Sequence, residues 1–151
     1  MKECIFHDAP DNKRERLLFD IVELAHRDKK RVLVFTSDNE RAVALDRMLW
    51  VLRQESFIPH RIFNPGETIE EPDFEAPVGI VTTEENPIAA SVLIADGHCC
   101  LDFACGFDTT HEFVDHTSSE RTESCRERFR VYRARQAPVR HLKATINVNN
   151  Q

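Results

Sequence analysis

A three-layer α/β domain built on a mostly parallel central sheet is the fold class that the sequence predicts. Strand and helix patterns alternate along the first part of the chain, which is typical of strands joined by helical crossovers. One predicted strand, Val32–Phe35, is an unbroken apolar run, as expected for a strand covered on both faces. The chain has 151 residues, 41% of them hydrophobic, which is enough for a single domain with its own core.

The amino-terminal elements follow one another in a regular order. Residues 2–7 alternate as in a short strand, and residues 11–28 carry apolar side chains at helical spacing. After Val32–Phe35, a capping box begins at Ser37 and predicts a helix to about residue 53. Strand, helix, strand and helix in this order favour parallel strands with right-handed crossovers.

The carboxyl-terminal part is less regular. Its predicted elements are an exposed loop at 65–77, short strands at 78–82 and 91–95, a possible strand at 112–115 and a helix at 118–135. The last helix ends before Pro138, which cannot continue it. We therefore expect one domain over residues 1–143, followed by a carboxyl-terminal tail at 144–151.

The outline is Rossmann-like, but the glycines with which such folds bind phosphates are missing. A phosphate loop needs glycine where the backbone approaches the anion. None of the four glycines lies in such a motif: Gly66, Gly79, Gly97 and Gly106. The sequence therefore predicts no nucleotide-binding loop and no cofactor.

The cysteines and the hydropathy pattern favour a cytoplasmic protein. No apolar run approaches the roughly 20 residues that cross a bilayer. The five cysteines are an odd number, and Cys99 and Cys100 are adjacent, which is a poor framework for disulfides beside so large a core. We expect reduced thiols.

The charge is distributed unevenly. Between Arg121 and Lys143 there are eight basic residues and two acidic ones, a net charge of +6, whereas the whole chain carries −6 and the remaining 128 residues carry −12. A basic strip on an acidic body suits a short acidic ligand better than a long polyanion. Direct binding of single-stranded DNA by this strip is disfavoured for the same reason, and because few aromatic side chains are available for stacking.

A cluster of cysteine and histidine residues offers an alternative function. Its members have the side chains of a zinc site: His98, Cys99, Cys100, Cys105, His111 and His116. The spacing matches no usual zinc motif, and any of the cysteines could equally be nominated as a nucleophile. We expect core thiols and scattered histidines, with a small metal- or nucleotide-binding α/β enzyme using residues 98–116 as the alternative.

The helix that begins at Ser37 has an aromatic residue off its apolar face. At 100° per residue one side of the helix gathers its core residues: Ala42, Leu45, Met48, Leu49 and Leu52. Trp50 projects elsewhere, beside Val43, and Phe57 follows shortly after. Exposed aromatic residues are typical interface anchors. The alternative is that Ile58 and Pro59 fold over Trp50 and complete a second small core.

The last helix combines aromatic and basic side chains. Cys125, Phe129 and Tyr132 share one face. Arginines flank that face on both sides: Arg121, Arg126, Arg128, Arg130, Arg133 and Arg135. This surface suits a peptide with both a hydrophobic side chain and a carboxylate. The alternative is a docked helix whose arginines are hydrated or paired with the acidic body.

Several motifs together resemble a known family. In order they are Arg-Val-Leu-Val-Phe at 31–35, Ala-Leu-Asp at 44–46, Leu-Trp at 49–50, Ser-Phe-Ile-Pro-His at 56–60, Pro-Val at 77–78, and Arg-Glu-Arg-Phe-Arg at 126–130 with Tyr-Arg at 132–133. Their order and spacing are similar to those of the chi subunit of bacterial DNA polymerase III. The similarity spans about residues 1–140.

This resemblance implies a non-enzymatic adaptor of DNA replication with two binding surfaces. One surface would bind the psi subunit of the clamp loader, or another protein that uses the same surface, at positions matching Trp50 and Phe57, with Val43 beside them. The other would bind the acidic, phenylalanine-ended tail of single-stranded-DNA-binding protein, with the family's tail-binding arginine falling on Arg126. The same helix motif adds Phe129 to this surface. Three further residues are expected to belong to it: Arg121, Arg128 and Tyr132. Where some family members have lysine, this chain has Thr122, adjacent to Arg121.

Overall fold

The α/β fold is confirmed. The computed structural model describes residues 1–51, 58–67 and 77–143, and these residues form a single sheet of seven parallel strands with four helices. In chain order the elements are β1 (Glu3–Asp8), α1 (Asp11–Arg27), β2 (Val32–Phe35), α2 (Asn39–Val51), β3 (His60–Ile62), β4 (Val78–Val81), β5 (Val92–Ala95), α3 (Leu101–Ala104), β6 (Thr109–Phe113), α4 (Ser119–Ala134) and β7 (Val139–Lys143).

The strands lie in the order β3, β4, β2, β5, β6, β1, β7. Helices α1 and α2 contribute Leu18, Val22 and Leu45 to one core cluster, together with sheet residues such as Val34. A second cluster lies on the opposite face, where α3 and α4 meet sheet residues such as Leu33. The central strands β2, β4 and β5 are buried along their whole length because helices cover both faces.

Three elements were not expected from the sequence, and each lacks a strong apolar pattern. Strand β3 has three residues and helix α3 has four, which is too short for a periodic signal. Strand β7 is an edge strand whose side chains are mostly exposed, so its polar composition concealed it. Most of the loop predicted at 65–77, the tail at 144–151, and both Leu52 and Phe57 lie outside the described residues.

The remaining sequence predictions agree closely with the structure. Helix α2 buries Ala42 and Leu45 and packs Met48 and Leu49 against the core, which is the predicted face. Strand β6 begins three residues earlier than expected. None of the helices in the described ranges is long and apolar enough to cross a membrane.

Candidate functional site

Helix α4 begins shortly after the carboxyl end of β6, and its first turn is capped by Ser118. The Ser118 hydroxyl oxygen accepts a hydrogen bond from the backbone N–H of Arg121 at 3.1 Å, which satisfies one of the free donors at the helix start. Only Cys125 and Tyr132 of this helix are fully buried. Apolar burial alone therefore contributes little to docking α4, and polar contacts matter more than usual.

The main polar contact is a buried ion pair between α4 and the sheet. Arg128 donates from Nε and Nη2 to the two carboxylate oxygens of Glu112 at 2.7 and 2.6 Å, and from Nη1 to the carbonyl oxygen of Cys99 at 2.7 Å. The Tyr132 hydroxyl donates to the same carboxylate at 2.5 Å. The side chains of Arg128 and Glu112 are 12% and 1% exposed, so this is a bidentate pair in a low-dielectric interior.

The ion pair determines the charge states of its members. Burial by itself would lower the pKa of Arg128, but the hydrogen bonds and negative charge of Glu112 raise it well above its usual value. For Tyr132, burial and Glu112 act in the same direction, and both raise its pKa. Arg128 therefore stays cationic and Tyr132 stays neutral, and neither lines the pocket described next. Arg128 and Tyr132, which were expected on the ligand-binding surface, place their polar atoms beneath helix α4.

A pocket of about 430 Å³ opens between α4, the carboxyl end of β1 and strand β7, a volume in the usual range for ligand sites. Its apolar lining consists of Phe6, Val114, Cys125 and Phe129. The Phe6 and Phe129 rings meet edge to face with centroids 5.3 Å apart, and Phe6 also contacts the Tyr132 ring edge to face. The floor is therefore aromatic.

Three arginines of α4 stand along one side of this pocket: Arg126, Arg130 and Arg133. Their spacing of four and three residues places them on one face of the helix. Arg126 pairs with Glu123 at 3.6 Å, and Arg130 pairs with Glu123 and Glu127, all of these side chains being more than half exposed. Such exposed pairs are worth little and can exchange for a ligand carboxylate.

The opposite wall carries a carboxylate between two imidazoles. Asp8, at the end of β1, accepts from His116 Nε2 at 2.5 Å and from His141 Nε2 at 2.9 Å. Partial burial by itself would raise the pKa of Asp8, but His116 and His141 together act more strongly and lower it. Sequence spacing gave no signal for Asp8 or His141, because they meet only through the parallel register of β1 and β7.

Arg121 lies on another face of α4, away from this pocket. It pairs with Asp115 at 3.3 Å and lines a second, more polar cleft of about 760 Å³ at the carboxyl ends of β2, β5 and β6. That position is where open α/β sheets bind ligands. Here the carboxylate of Asp96, 4% exposed, is already bound by Arg41 with two hydrogen bonds of 3.0 Å and by Arg14.

The two least exposed arginines of this second cleft, Arg14 and Arg41, are therefore engaged by Asp96. The hydrogen bonds from Arg41 to Asp96 raise the pKa of Arg41, although burial acts to lower it. Glycine is needed at position 97, because a Cβ there would stand 3.1 Å from the amide nitrogen of Ser37.

The cysteine and histidine residues considered as a metal site are dispersed. His111 stacks on His7 with ring centroids 5.1 Å apart, His116 binds Asp8, and His98 lies 3.7 Å from the sulfur of Cys125. Within residues 1–51, 58–67 and 77–143 no three metal-ligating side chains form a group that could hold an ion, and the five thiols are free.

Trp50 lies on the outer side of α2, together with other exposed apolar residues. Val43, Trp50 and Val51 are 45%, 48% and 64% exposed. One side of the indole contacts the imidazole of His60, with ring centroids 4.7 Å apart. Ile58 is buried in the core cluster that α1 and α2 form with the sheet.

The fold and the pocket define a class: an α/β protein with an apolar pocket bordered by arginines. Residues 1–140 match the family described as DNA polymerase III chi subunit, HolC. The chain is similar to the DNA polymerase III subunit chi of Escherichia coli, with 32% identity over 120 residues, covering 79% of this chain and 78% of that protein. It is also similar to the Pseudomonas aeruginosa protein of the same name, with 27% identity over 135 residues and 89% of each chain covered.

The chain therefore belongs to the chi subunit family of bacterial DNA polymerase III. Membership gives it an accessory role in the replisome.

Proposed function

We propose that this protein is a non-catalytic, cytoplasmic adaptor with two binding surfaces. Helix α4 binds the acidic carboxyl-terminal tail of single-stranded-DNA-binding protein, and helix α2 binds the psi subunit of the clamp loader. The observation that carries the first half is the aromatic floor formed by Phe6 and Phe129 directly beside Arg126. A phenylalanine that ends a peptide presents a ring and a carboxylate on the same residue, and this pocket offers a partner for each.

In this arrangement the terminal ring packs on Phe129 and the carboxylate binds the guanidinium of Arg126. Arg126 is the best candidate because its side chain is 67% exposed and its pair with Glu123 is long, at 3.6 Å. Arg128 and Tyr132 act indirectly, by fixing α4 on Glu112. Arg121 would meet only a ligand that extends around the helix toward the second cleft.

Acidic residues further back in the tail would follow the arginines along α4. Arg126 and Arg133 are seven positions apart, about 10 Å along the helix axis, which an extended peptide spans in about three residues. Among the described residues Arg133 has no ion-pair partner, so it is available to an acidic side chain at that distance. A short tail buries little area, and several tails on one tetramer would raise the overall affinity through avidity.

Titration with a fluorescent peptide copying the tail tests this half of the proposal. We expect saturable binding in the micromolar range, lost with Arg126→Ala and lost when the final phenylalanine is removed. Arg16→Ala is the matched control, because Arg16 is an equally exposed arginine on α1, across the sheet from α4. Equal binding by Arg126→Ala and wild type would contradict the assigned site.

The second half rests on the exposed face of α2. Val43, Trp50 and Val51 are apolar, exposed and close together on one helix, which is the composition of an interface centre. Phe57, the other residue implied by the family resemblance, lies outside the described residues. Because Trp50 is the single tryptophan of the chain, its fluorescence reports on this surface alone.

We expect the psi subunit to shift the emission of Trp50 and the tail peptide to leave it unchanged. Trp50→Ala should abolish psi binding and retain tail binding, and Arg126→Ala should do the reverse. Loss of both partners in a folded single variant would contradict the assignment of two independent surfaces.

A further inference from the structure

The pocket proposed for an acidic peptide contains a negative charge of its own. Asp8 lies on its wall, opposite the arginines, and is 20% exposed. A ligand carboxylate entering the pocket is repelled by Asp8 unless neighbouring groups neutralise it.

The neighbours of Asp8 are suited to neutralising it in a pH-dependent way. His116 and His141 each direct Nε2 at one carboxylate oxygen, at 2.5 and 2.9 Å. With both imidazoles neutral, the three side chains carry a net charge of −1. With both protonated, they carry +1. Histidine side chains ordinarily change charge between about pH 5 and 8.

The other charged groups of the pocket keep their charge over that range. Arg126, Arg130 and Arg133 face the group from α4 and remain cationic. Glu123 and Glu127 are the acidic groups of the same helix, and they pair with these arginines.

Other titratable groups on the strands packed against Asp8 contribute little. Lys143 is aligned with Asp8 in the register of β1 and β7. On the other side of the strand, burial lowers the pKa of His7 to about 4 and that of His111 to about 3. Both are therefore neutral over the whole range. Asp115, next to His116 in the chain, is paired with Arg121.

We propose that Asp8, His116 and His141 form a proton-linked determinant of affinity in this pocket: acidic peptides bind weakly while the two imidazoles are neutral and more tightly once they are protonated. This inference rests on the proposed tail-binding function of the same pocket and adds a regulatory group to it. A change of two unit charges at the wall of a solvent-exposed site corresponds to about a three- to tenfold change in affinity.

The test is the affinity of an acetylated acidic peptide ending in phenylalanine, measured at about pH 8 and about pH 5.5, where its carboxylates remain ionised. Wild type should bind about three- to tenfold more tightly at the lower pH. The double variant His116→Gln, His141→Gln keeps a hydrogen-bond donor at each position but cannot be protonated, so its affinity should be the same at both pH values. Asp8→Asn should bind more tightly than wild type at the higher pH.

His26→Gln is the matched control, since His26 lies on α1 across the sheet, and it should retain the wild-type pH dependence. Thermal unfolding of each variant at both pH values shows that all are folded. A wild-type affinity independent of pH, or a double variant that keeps the full pH dependence, refutes the inference while leaving tail binding intact. Failure to bind at either pH refutes the tail-binding proposal itself and this inference with it.

Discussion

The buried ion pair of Arg128 and Glu112 should be the main anchor of α4. Removing one partner should therefore lower the free energy of unfolding of the protein considerably. Arg128→Ala deletes three hydrogen bonds of 2.6 to 2.7 Å. Among residues 1–51, 58–67 and 77–143, it leaves the Glu112 side chain, 1% exposed, with the Tyr132 hydroxyl as its one hydrogen-bond partner. Loss of one member of a buried ion pair typically costs about 3–5 kcal/mol. For a domain of this size that corresponds to a fall of about 6–20 °C in Tm.

Chemical denaturation of wild type and variants measures this cost directly. The matched control is Arg130→Ala, whose ion pairs are exposed and whose loss should change the free energy of unfolding by less than about 1 kcal/mol. The double variant Arg128→Ala, Glu112→Ala should be less destabilised than the sum of the single variants, because the second change removes the stranded charge. An Arg128→Ala protein within about 1 kcal/mol of wild type, or strict additivity, would refute the anchoring role.

Three further predictions concern other parts of the molecule. Because burial lowers the folded-state pKa of His7 to about 4 and of His111 to about 3, the unfolded state takes up protons first, and stability should fall as pH drops from about 6.5 toward 4. In denaturant titrations across this range, the free energy of unfolding should fall by up to about 1.4 kcal/mol per pH unit for each histidine. A free energy of unfolding that does not change with pH would contradict the buried, neutral state of His7 and His111. Exposed Cys100 should react rapidly with a thiol reagent near pH ~8. Burial raises the pKa of Cys99 to about 12, so Cys99 should react only when the protein unfolds locally or globally. Rapid labelling of both cysteines, resolved by mass spectrometry, would contradict the burial of Cys99. Trp50→Ala should cost no more than about 1–2 kcal/mol of stability in denaturation, because nearly half of the side chain is already exposed, and a larger loss would mean that the indole is a core residue.

How far the sequence predicts the fold depends on how much apolar periodicity each element carries. Strand β2 is predictable because burial on both faces gives an unbroken apolar run, and helix α2 because its buried face repeats at helical spacing. The edge strand β7 does not, since its side chains are mostly exposed and its place is fixed by pairing with β1. The parallel arrangement of the sheet followed from the order of elements, but the position of β1 between β6 and β7 did not.

In the candidate site, too, some residues could be predicted from helical spacing and others could not. The motif on α4 correctly brought Arg126 and Phe129 to one pocket, because residues at helical spacing share a face. The motif did not distinguish Arg128, which is buried against Glu112, from the exposed arginines of the same helix. A helical wheel gives the direction of a side chain but does not identify the residue that it contacts. Asp8 was missed because it comes from the far end of the chain and reaches the pocket only through the sheet.

Backbone amide shift mapping of the isotope-labelled protein with the tail peptide shows whether the pocket beside Arg126 receives the acidic tail. Saturating shift changes are expected on α4 around Arg126 and Phe129 and at Val114, with little change around Asp96 in the second cleft or around Trp50 on α2. Shift changes centred on Asp96 or on Trp50, or none at saturating peptide, would contradict binding of the tail in this pocket.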